Sequence, residues 1–258
     1  MEPDIVPDKL RHPINKKILL IILGLAILFQ TYVNLAPDKE QTEYVMAAIS
    51  IVNPLIASIA AFFVVKRYGT SIVFGKAYAA LGAGLFMLFL GETIWYYFVF
   101  VLEVEPFPSI ADVFFYLFYP LSMVHIILNV RFFQTKISLL NKFWICIIPA
   151  AIVIGYSSLA LSEIGEANFD FYYGVVFVLS TSIVLSLALL GAVVFRGGAL
   201  GIVWVLLLLG MLLTSIGDIW YFHLELFAEY GSGHPVELLW YTGYWVIFYA
   251  LYKHRKII

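Results

Sequence analysis

The chain has 258 residues, of which 63% are hydrophobic and 12% charged, with 15 Lys+Arg against 17 Asp+Glu and a formal net charge of −2. Soluble domains carry roughly 25% charged and about 45–50% apolar residues, and a mean hydropathy of +0.96 is more apolar surface than a soluble globule of this size covers. Low polarity excludes a disordered chain, the single Cys excludes a disulfide scaffold, and the lack of a basic patch excludes a nucleic-acid binder.

A membrane-crossing helix needs about 20 mainly apolar residues. Eight stretches reach that length, near residues 17–35, 44–65, 73–101, 110–131, 141–162, 171–195, 199–228 and 236–252. They are too long for β-spans and lack the alternation of a barrel. The expected fold is all-α, a polytopic membrane protein with eight transmembrane helices in a single integral domain over 1–258. The first stretch follows Lys16-Lys17 as a signal peptide would. A cut after Ala36 would leave Pro37 next and Asn34 three residues before it, which is not the small-residue cleavage pattern. It is read as an uncleaved first helix. Pro54, Pro120 and Pro149 fall inside the second, fourth and fifth stretches, where each frees a carbonyl and bends the helix. Cys146, in the fifth, is read as a small packing residue.

Charge sets the expected orientation. With the N-terminus in the cytoplasm, Lys9, Arg11, Lys16, Lys17, Lys66, Arg67, Lys76, Arg131, Lys136, Lys142, Arg196, Lys253, Arg255 and Lys256 all fall inside. Only Lys39 falls outside. This is the positive-inside pattern, so both termini are expected in the cytoplasm and the protein in the cell membrane. All acids except Glu2, Asp4 and Asp8 then lie in the outer half or outer loops.

The chain also repeats itself. Gly91-Glu92-Thr93-Ile94-Trp95-Tyr96 in the third stretch is echoed by Gly217-Asp218-Ile219-Trp220-Tyr221 in the seventh. After a short loop, Asp112, Tyr116 and Tyr119 are echoed by Glu237, Tyr241 and Tyr244. An offset of 125 aligns Trp95 with Trp220 and the acid-Tyr-Tyr sets with each other, while the Gly-acid pairs need 126. The expectation is two parallel four-helix repeats, 15–131 and 140–254, related by an axis along the membrane normal.

Acids inside spans carry most of the functional signal, because an ionised acid near mid-bilayer costs about 2.5–3.5 kcal/mol. Glu92 and Asp218 lie roughly 14 Å inside their helix ends at 1.5 Å per residue. They are read as a ligand, cation or proton site, or as an acid/base pair, against the alternative of helix-packing hydrogen bonds. Asp112 and Glu237 begin helices, where an acid complements the helix dipole, and Ser109 through Asp112 resembles a capping box. With Tyr116 and Tyr119, and with Tyr241 and Tyr244, they form two stripes at i, i+4 and i+7. The expected ligand-binding residues are Glu92, Trp95, Tyr96, Asp112, Tyr116, Tyr119, Asp218, Tyr221, Glu237, Tyr241 and Tyr244, lining an outward-facing acidic and aromatic cavity. His234 and Glu237 have a chelating spacing without a supporting motif, so no metal is expected. His125 is read as a hydrogen-bonded packing residue. No nucleotide, nucleophile-elbow or redox motif is present. No lysine in the eighth stretch offers a retinal Schiff base. No cofactor is expected.

The segment Pro106-Phe107-Pro108-Ser109-Ile110-Ala111-Asp112-Val113-Phe114-Phe115-Tyr116-Leu117-Phe118-Tyr119-Pro120, with Gly91-Glu92 and Trp95 upstream, resembles the multi-pass N-terminal membrane regions attached to some diguanylate cyclases and sensor histidine kinases. Their pattern is P-x-P-S-x-A-D-x-x-Y-x-x-x-Y-P, and the tyrosine spacing here departs slightly from it. The likeness covers about 30 residues well. It implies a sensor-like membrane module for a small-molecule or lipid ligand. The output domain of those proteins is not expected here, so the module would need a signalling partner protein. A weaker resemblance is to the lysoplasmalogenase family. Gly91-Glu92 and Gly217-Asp218 match its Gly-Asp motifs in two related helices, with Glu in place of the first Asp, and His125 matches a His of its fourth helix. That resemblance implies hydrolysis of a lipid vinyl ether with Glu92 and Asp218 as catalytic acid and base. A small-solute transporter is the third expectation, from the repeat and the buried acids. Whether the protein is an enzyme stays open at this point.

Overall fold

The computed structural model describes residues 14–133, 137–195, 201–227, 230–231 and 233–257. Lys9, Arg11, Lys136 and Arg196, used above to orient the chain, lie outside the described residues, as do Glu2, Asp4 and Asp8. The described residues form eight long helices and no strand: α1 (Lys16–Leu35), α2 (Lys39–Tyr68), α3 (Ala77–Tyr97), α4 (Ile110–Phe133), α5 (Leu139–Ile164), α6 (Phe169–Phe195), α7 (Gly201–Leu226) and α8 (Glu237–Ile257). One π-helical turn extends α3 at each end, Ile72–Lys76 and Phe98–Leu102.

Short polar residues set where helices start, by accepting N–H groups that have no partner in the first turn. Asn15 accepts from the Lys17 N–H at 2.9 Å, Asp38 from Gln41 at 2.9 Å, Ser138 from Asn141 at 3.2 Å and Asn168 from Phe171 at 3.0 Å. At Gly165, φ is 81°, a left-handed conformation that ends α5 and that glycine adopts without strain. Pro54, Pro120 and Pro149 sit inside α2, α4 and α5, which continue through them.

Helices α1 to α7, with α3 counted together with its π turns, are long and apolar enough to cross a membrane. Helix α8 is 21 residues long, but Trp240, Tyr241, Tyr244, Trp245, Tyr249 and Tyr252 lower its hydropathy below that of the other seven. It is held by packing instead, against α7, α2 and α1. The protein is thus an all-α, multi-pass membrane protein.

Helices adjacent in sequence pack side by side: α2 on α3, α3 on α4, α6 on α7 and α7 on α8. Two further contacts, α4 on α6 and α8 on α2, close these six helices into a ring. Outside the ring, α5 lies on α6 and α1 lies mainly on α8. Short connections make consecutive helices antiparallel. Lys16, Lys17, Lys66, Arg67, Lys76, Arg131, Lys142 and Lys253 therefore gather at one end, the basic end. The loops after α3 and α7 mark the other, acidic end.

Lipid offers no hydrophobic drive between helices, so close approach depends on small residues. Glycine provides it at both hairpins. A Cβ on Gly91 would stand 2.6 Å from the Phe115 ring, and one on Gly217 would stand 2.7 Å from Trp240 Nε1. Two turns away, a Cβ on Gly84 would stand 3.3 Å from the Phe118 carbonyl oxygen, and one on Gly210 would stand 2.8 Å from the Gly243 carbonyl oxygen. These contacts bring α3 onto α4, and α7 onto α8, at the level of the buried acids.

Candidate functional site

Glu92 and Asp218 each follow one of those glycines, so the tight seams present both acids to the interior of the ring. Each lies within electrostatic range of the other. Both lie deep in the bundle, yet both keep accessible surface.

The two carboxyls have opposite surroundings. Asp218 Oδ1 accepts a hydrogen bond from Trp240 Nε1 at 3.0 Å. Its Oδ2 accepts from the Tyr119 hydroxyl at 3.1 Å and the Thr181 hydroxyl at 3.3 Å. Three donors from α8, α4 and α6 hold it in place. Glu92 accepts no hydrogen bond among the described residues. Tyr96, Tyr221 and Tyr244 all lie within electrostatic range of its carboxyl.

Asp112 and Glu237 are buried and fully engaged. Asp112 Oδ2 accepts from the Ser109 backbone N–H at 2.6 Å, the return bond of a capping box. Its Oδ1 accepts from the Tyr173 hydroxyl at 2.6 Å. Glu237 accepts from the Gly233 N–H at 3.1 Å, the Tyr230 hydroxyl at 3.3 Å and the Tyr241 hydroxyl at 3.0 Å. Burial, and the Glu237 carboxylate beside it, hold the Tyr230 phenol above its ordinary range, so Tyr230 stays a donor. These two acids fix the helix starts that frame the site.

The aromatic residues divide in the same way. Tyr119 bonds to Asp218, and Tyr241 bonds to Glu237. Tyr116, on the same stripe as Asp112, is 39% exposed and meets Phe177 at 5.6 Å between ring centroids. The stripe on α4 is therefore not continuous, since Tyr173 of α6 supplies the hydroxyl that Asp112 accepts. Trp95 packs on Phe115 at 6.1 Å, and its contact counterpart is Tyr221 on Trp240 at 5.7 Å. Trp220 turns instead toward His234, at 5.3 Å. The spacing that aligned Trp95 with Trp220 is thus one residue off in contact terms. Counted by these contacts, Gly91 and Trp95 correspond to Gly217 and Tyr221 at an offset of 126, and Phe115 corresponds to Trp240 at 125.

Tyr173, Thr181 and Trp240 hydrogen-bond the candidate acids and are not among the residues expected from the sequence. Trp240 stands inside the repeated segment and was legible there. Tyr173 and Thr181 come from α6, where no acid neighbours them in sequence. His234 Nδ1 accepts from the Val236 N–H at 3.2 Å, and no cluster of three or more His, Cys, Asp or Glu is close enough to hold a metal among the described residues. His125 is fully buried, with Nδ1 2.9 Å from the Ala77 carbonyl. Compared with family models, curated proteins and solved structures, the chain matches none.

Proposed function

We propose that the protein is a membrane module that binds a cationic, amine-bearing ligand between α3 and α7. The observation that carries this reading is the Glu92 carboxyl, which lies deep in the ring, opposite Asp218, and takes no donor from the protein. A carboxyl at that depth needs a positive or hydrogen-bonding partner, because leaving it unpaired costs about 2.5–3.5 kcal/mol or more. An ammonium group supplies one, and the faces of Tyr96, Tyr221, Tyr244, Trp95 and Trp240 suit it through cation–π attraction. Asp218, held by three donors, serves as the fixed second charge. Asp112, Glu237, Tyr119 and Tyr241 frame the site, and Tyr116 lies at its margin.

We read the two hairpins, α3–α4 and α7–α8, as copies within repeats 15–131 and 140–254. The matching glycine-to-aromatic contacts support this. The basic end is read as cytoplasmic, which puts both termini inside and opens the site outward. Output would then pass to a partner protein at the basic end, as the likeness to sensor regions implies. Cysteines placed at Phe107 and Lys142 test the orientation. Labelling of both from the same side of sealed cells would refute it.

Tetramethylammonium is the probe for the site. Isothermal titration should give saturable binding to the wild type and at least tenfold weaker binding to Glu92→Gln. Equal affinity of both proteins would sink the reading. A second reading is favoured by the unequal surroundings of the acids: one fixed and one free carboxyl also suit a hydrolase with an acid/base pair. A choline lysoplasmalogen, whose headgroup is itself a quaternary ammonium, distinguishes the two. Aldehyde release by the wild type, lost in both Glu92→Gln and Asp218→Asn, would favour the enzyme. Binding without release favours the sensor.

A further inference from the structure

We propose that a row of buried polar side chains passes protons from the acid pair to a histidine pair at the basic end. The row begins where the Tyr119 hydroxyl meets Asp218. Along α4 it steps from Tyr119 to Ser122, to His125 and to Asn129, all buried. Steps of three or four residues put neighbouring side chains roughly 5–6 Å apart on a helix. Beside the lower part of the row stand Tyr78 of α3 and His254 of α8. The Tyr78 ring lies 4.8 Å from His125 and 5.0 Å from His254, and the two histidines are within electrostatic range of each other.

Hydrogen bonding shows what this row lacks. A carbonyl only accepts, so the contact from His125 Nδ1 to the Ala77 carbonyl at 2.9 Å puts the imidazole proton on Nδ1. His125 Nε2 is then a bare lone pair, and it has no partner. Asn129 Nδ2 donates to the His125 carbonyl at 2.8 Å, while its Oδ1 has none. The Ser122 and Tyr78 hydroxyls and both His254 ring nitrogens are also buried and unpartnered. Buried polar atoms at membrane depth each cost several kcal/mol when unpaired. Water is the small partner that satisfies donors and acceptors alike, and it holds where two to four polar atoms converge. The row is therefore a hydrated thread.

The row, added to the depth of the acid pair, matches the barrier. Asp218 lies about 12 Å from the end of α7, and Tyr119 to Asn129 covers about 15 Å, at 1.5 Å per residue. Tyr78 is in the first turn of α3 and His254 in the last turn of α8, so about one further turn of 5.4 Å remains. The total is close to the roughly 30 Å of hydrocarbon. The groups facing the histidines from the other elements are aromatic or neutral: Tyr68 of α2, Phe74, Trp204 of α7 and Asn129. The Arg67 charge lies within electrostatic range of Tyr68, and Lys76 and Lys253 stand close to Tyr78 and His254 in sequence. In one passage, a carboxyl at the acid pair takes up a proton. Each hydroxyl and water then accepts one proton and releases its own, His125 Nε2 accepts and returns one, and one proton leaves at the basic end. No other bond changes and no electrons move.

Ser122 and His125, the residues varied here, lie along α4 away from the ammonium site, so tetramethylammonium binding and proton passage fail independently. Full-length protein is reconstituted into phosphatidylcholine/phosphatidylglycerol vesicles loaded with pyranine, and a valinomycin potassium potential drives protons inward. Wild-type vesicles should acidify at least tenfold faster than protein-free vesicles. Ser122→Ala and His125→Gln should each reduce that flux at least fivefold, Ser122→Thr should keep it, and Ser158→Ala, on an exposed face of α5, should leave it unchanged. Ser122→Ala removes one oxygen, so it keeps the test valid if the histidine variant fails to fold. Flux no faster than in protein-free vesicles, or flux indifferent to both Ser122→Ala and His125→Gln, would overturn the proposal.

Discussion

The α3–α4 and α7–α8 hairpins make like glycine-to-aromatic contacts and are finished differently. In both, a glycine brings the helix against an aromatic residue, and an acid follows the glycine. In α7–α8 the aromatic residue is Trp240, whose N–H reaches Asp218 at 3.0 Å. In α3–α4 it is Phe115, which has no donor, and Glu92 is left without a partner. The same close approach therefore yields a fixed carboxyl on one side and a free one on the other. A scaffold can hold an acid deep in a membrane at tolerable cost by saturating it, as at Asp218. Leaving its counterpart unsaturated makes sense where something else completes it.

Removing each acid breaks the comparison most strongly, because only one of the two changes should destabilise the fold. Asp218→Ala removes three accepted hydrogen bonds, leaving Trp240 and Tyr119 without an acceptor and Thr181 with the Ser215 carbonyl at 3.4 Å alone. Hydrogen bonds in membrane proteins average about 0.6 kcal/mol each, with a maximum near 1.7, so three together predict a loss of about 2 kcal/mol. Glu92→Ala removes no protein hydrogen bond and relieves a costly buried acid, so stability should stay level or rise. Steric-trap unfolding in bicelles measures both. If Glu92→Ala destabilised the fold as much as Asp218→Ala, the free-carboxyl description would be wrong.

The glycines give a smaller contrast. A methyl on Gly217 would sit 2.7 Å from Trp240 Nε1, the atom bonded to Asp218, whereas one on Gly91 would meet the edge of the Phe115 ring at 2.6 Å. Overpacking costs about 1–3 kcal/mol. Phe115 can give by rotating without breaking a polar contact, but Trp240 can give only by leaving Asp218. Gly217→Ala is therefore expected near the top of that range and Gly91→Ala near the bottom, read from the same unfolding measurement. Equal losses would mean that the Trp240 bond adds nothing to the seam.

Much of this arrangement was legible from the sequence, and the reasons are physical. Hydropathy located the helices because lipid demands long apolar runs. It was weakest for α8, whose Trp and Tyr content hides a packed helix. Glu92 and Asp218 stood out because acids are rare in spans, and the capping box at Ser109 was legible because capping is local. Contacts across the ring were not legible. The Asp112–Tyr173 and Asp218–Thr181 bonds join residues 61 and 37 positions apart, and no periodicity along one helix reports what a neighbouring helix supplies. The same limit holds for Tyr116, which the α4 stripe groups with Asp112 and which is 39% exposed and packs on Phe177 of α6. The one-residue slip between α3–α7 and α4–α8 was visible as 126 against 125, but its meaning needed the ring contacts of Trp95 and Tyr221.

The smallest expected effect is also the most specific, because it exchanges the finish of the two hairpins without touching either acid. Trp240→Phe removes one donor from Asp218 and should cost about 0.6 kcal/mol, with Tyr119 and Thr181 still in place. Phe115→Trp offers an indole N–H at the position that Trp240 holds in the other hairpin. Its ring has to fit beside Gly91, as the indole of Trp240 fits beside Gly217. If the hairpins share one plan, the new N–H reaches Glu92, stability rises by a similar fraction, and tetramethylammonium binding weakens severalfold as the free carboxyl gains an internal partner. Titration of the variant with tetramethylammonium, alongside its unfolding, reads both effects. Stabilisation without weaker binding would place the ligand away from Glu92. Weaker binding with lost stability would mean that the α3–α4 seam cannot accommodate an indole, and that the two hairpins share their glycines but not their geometry.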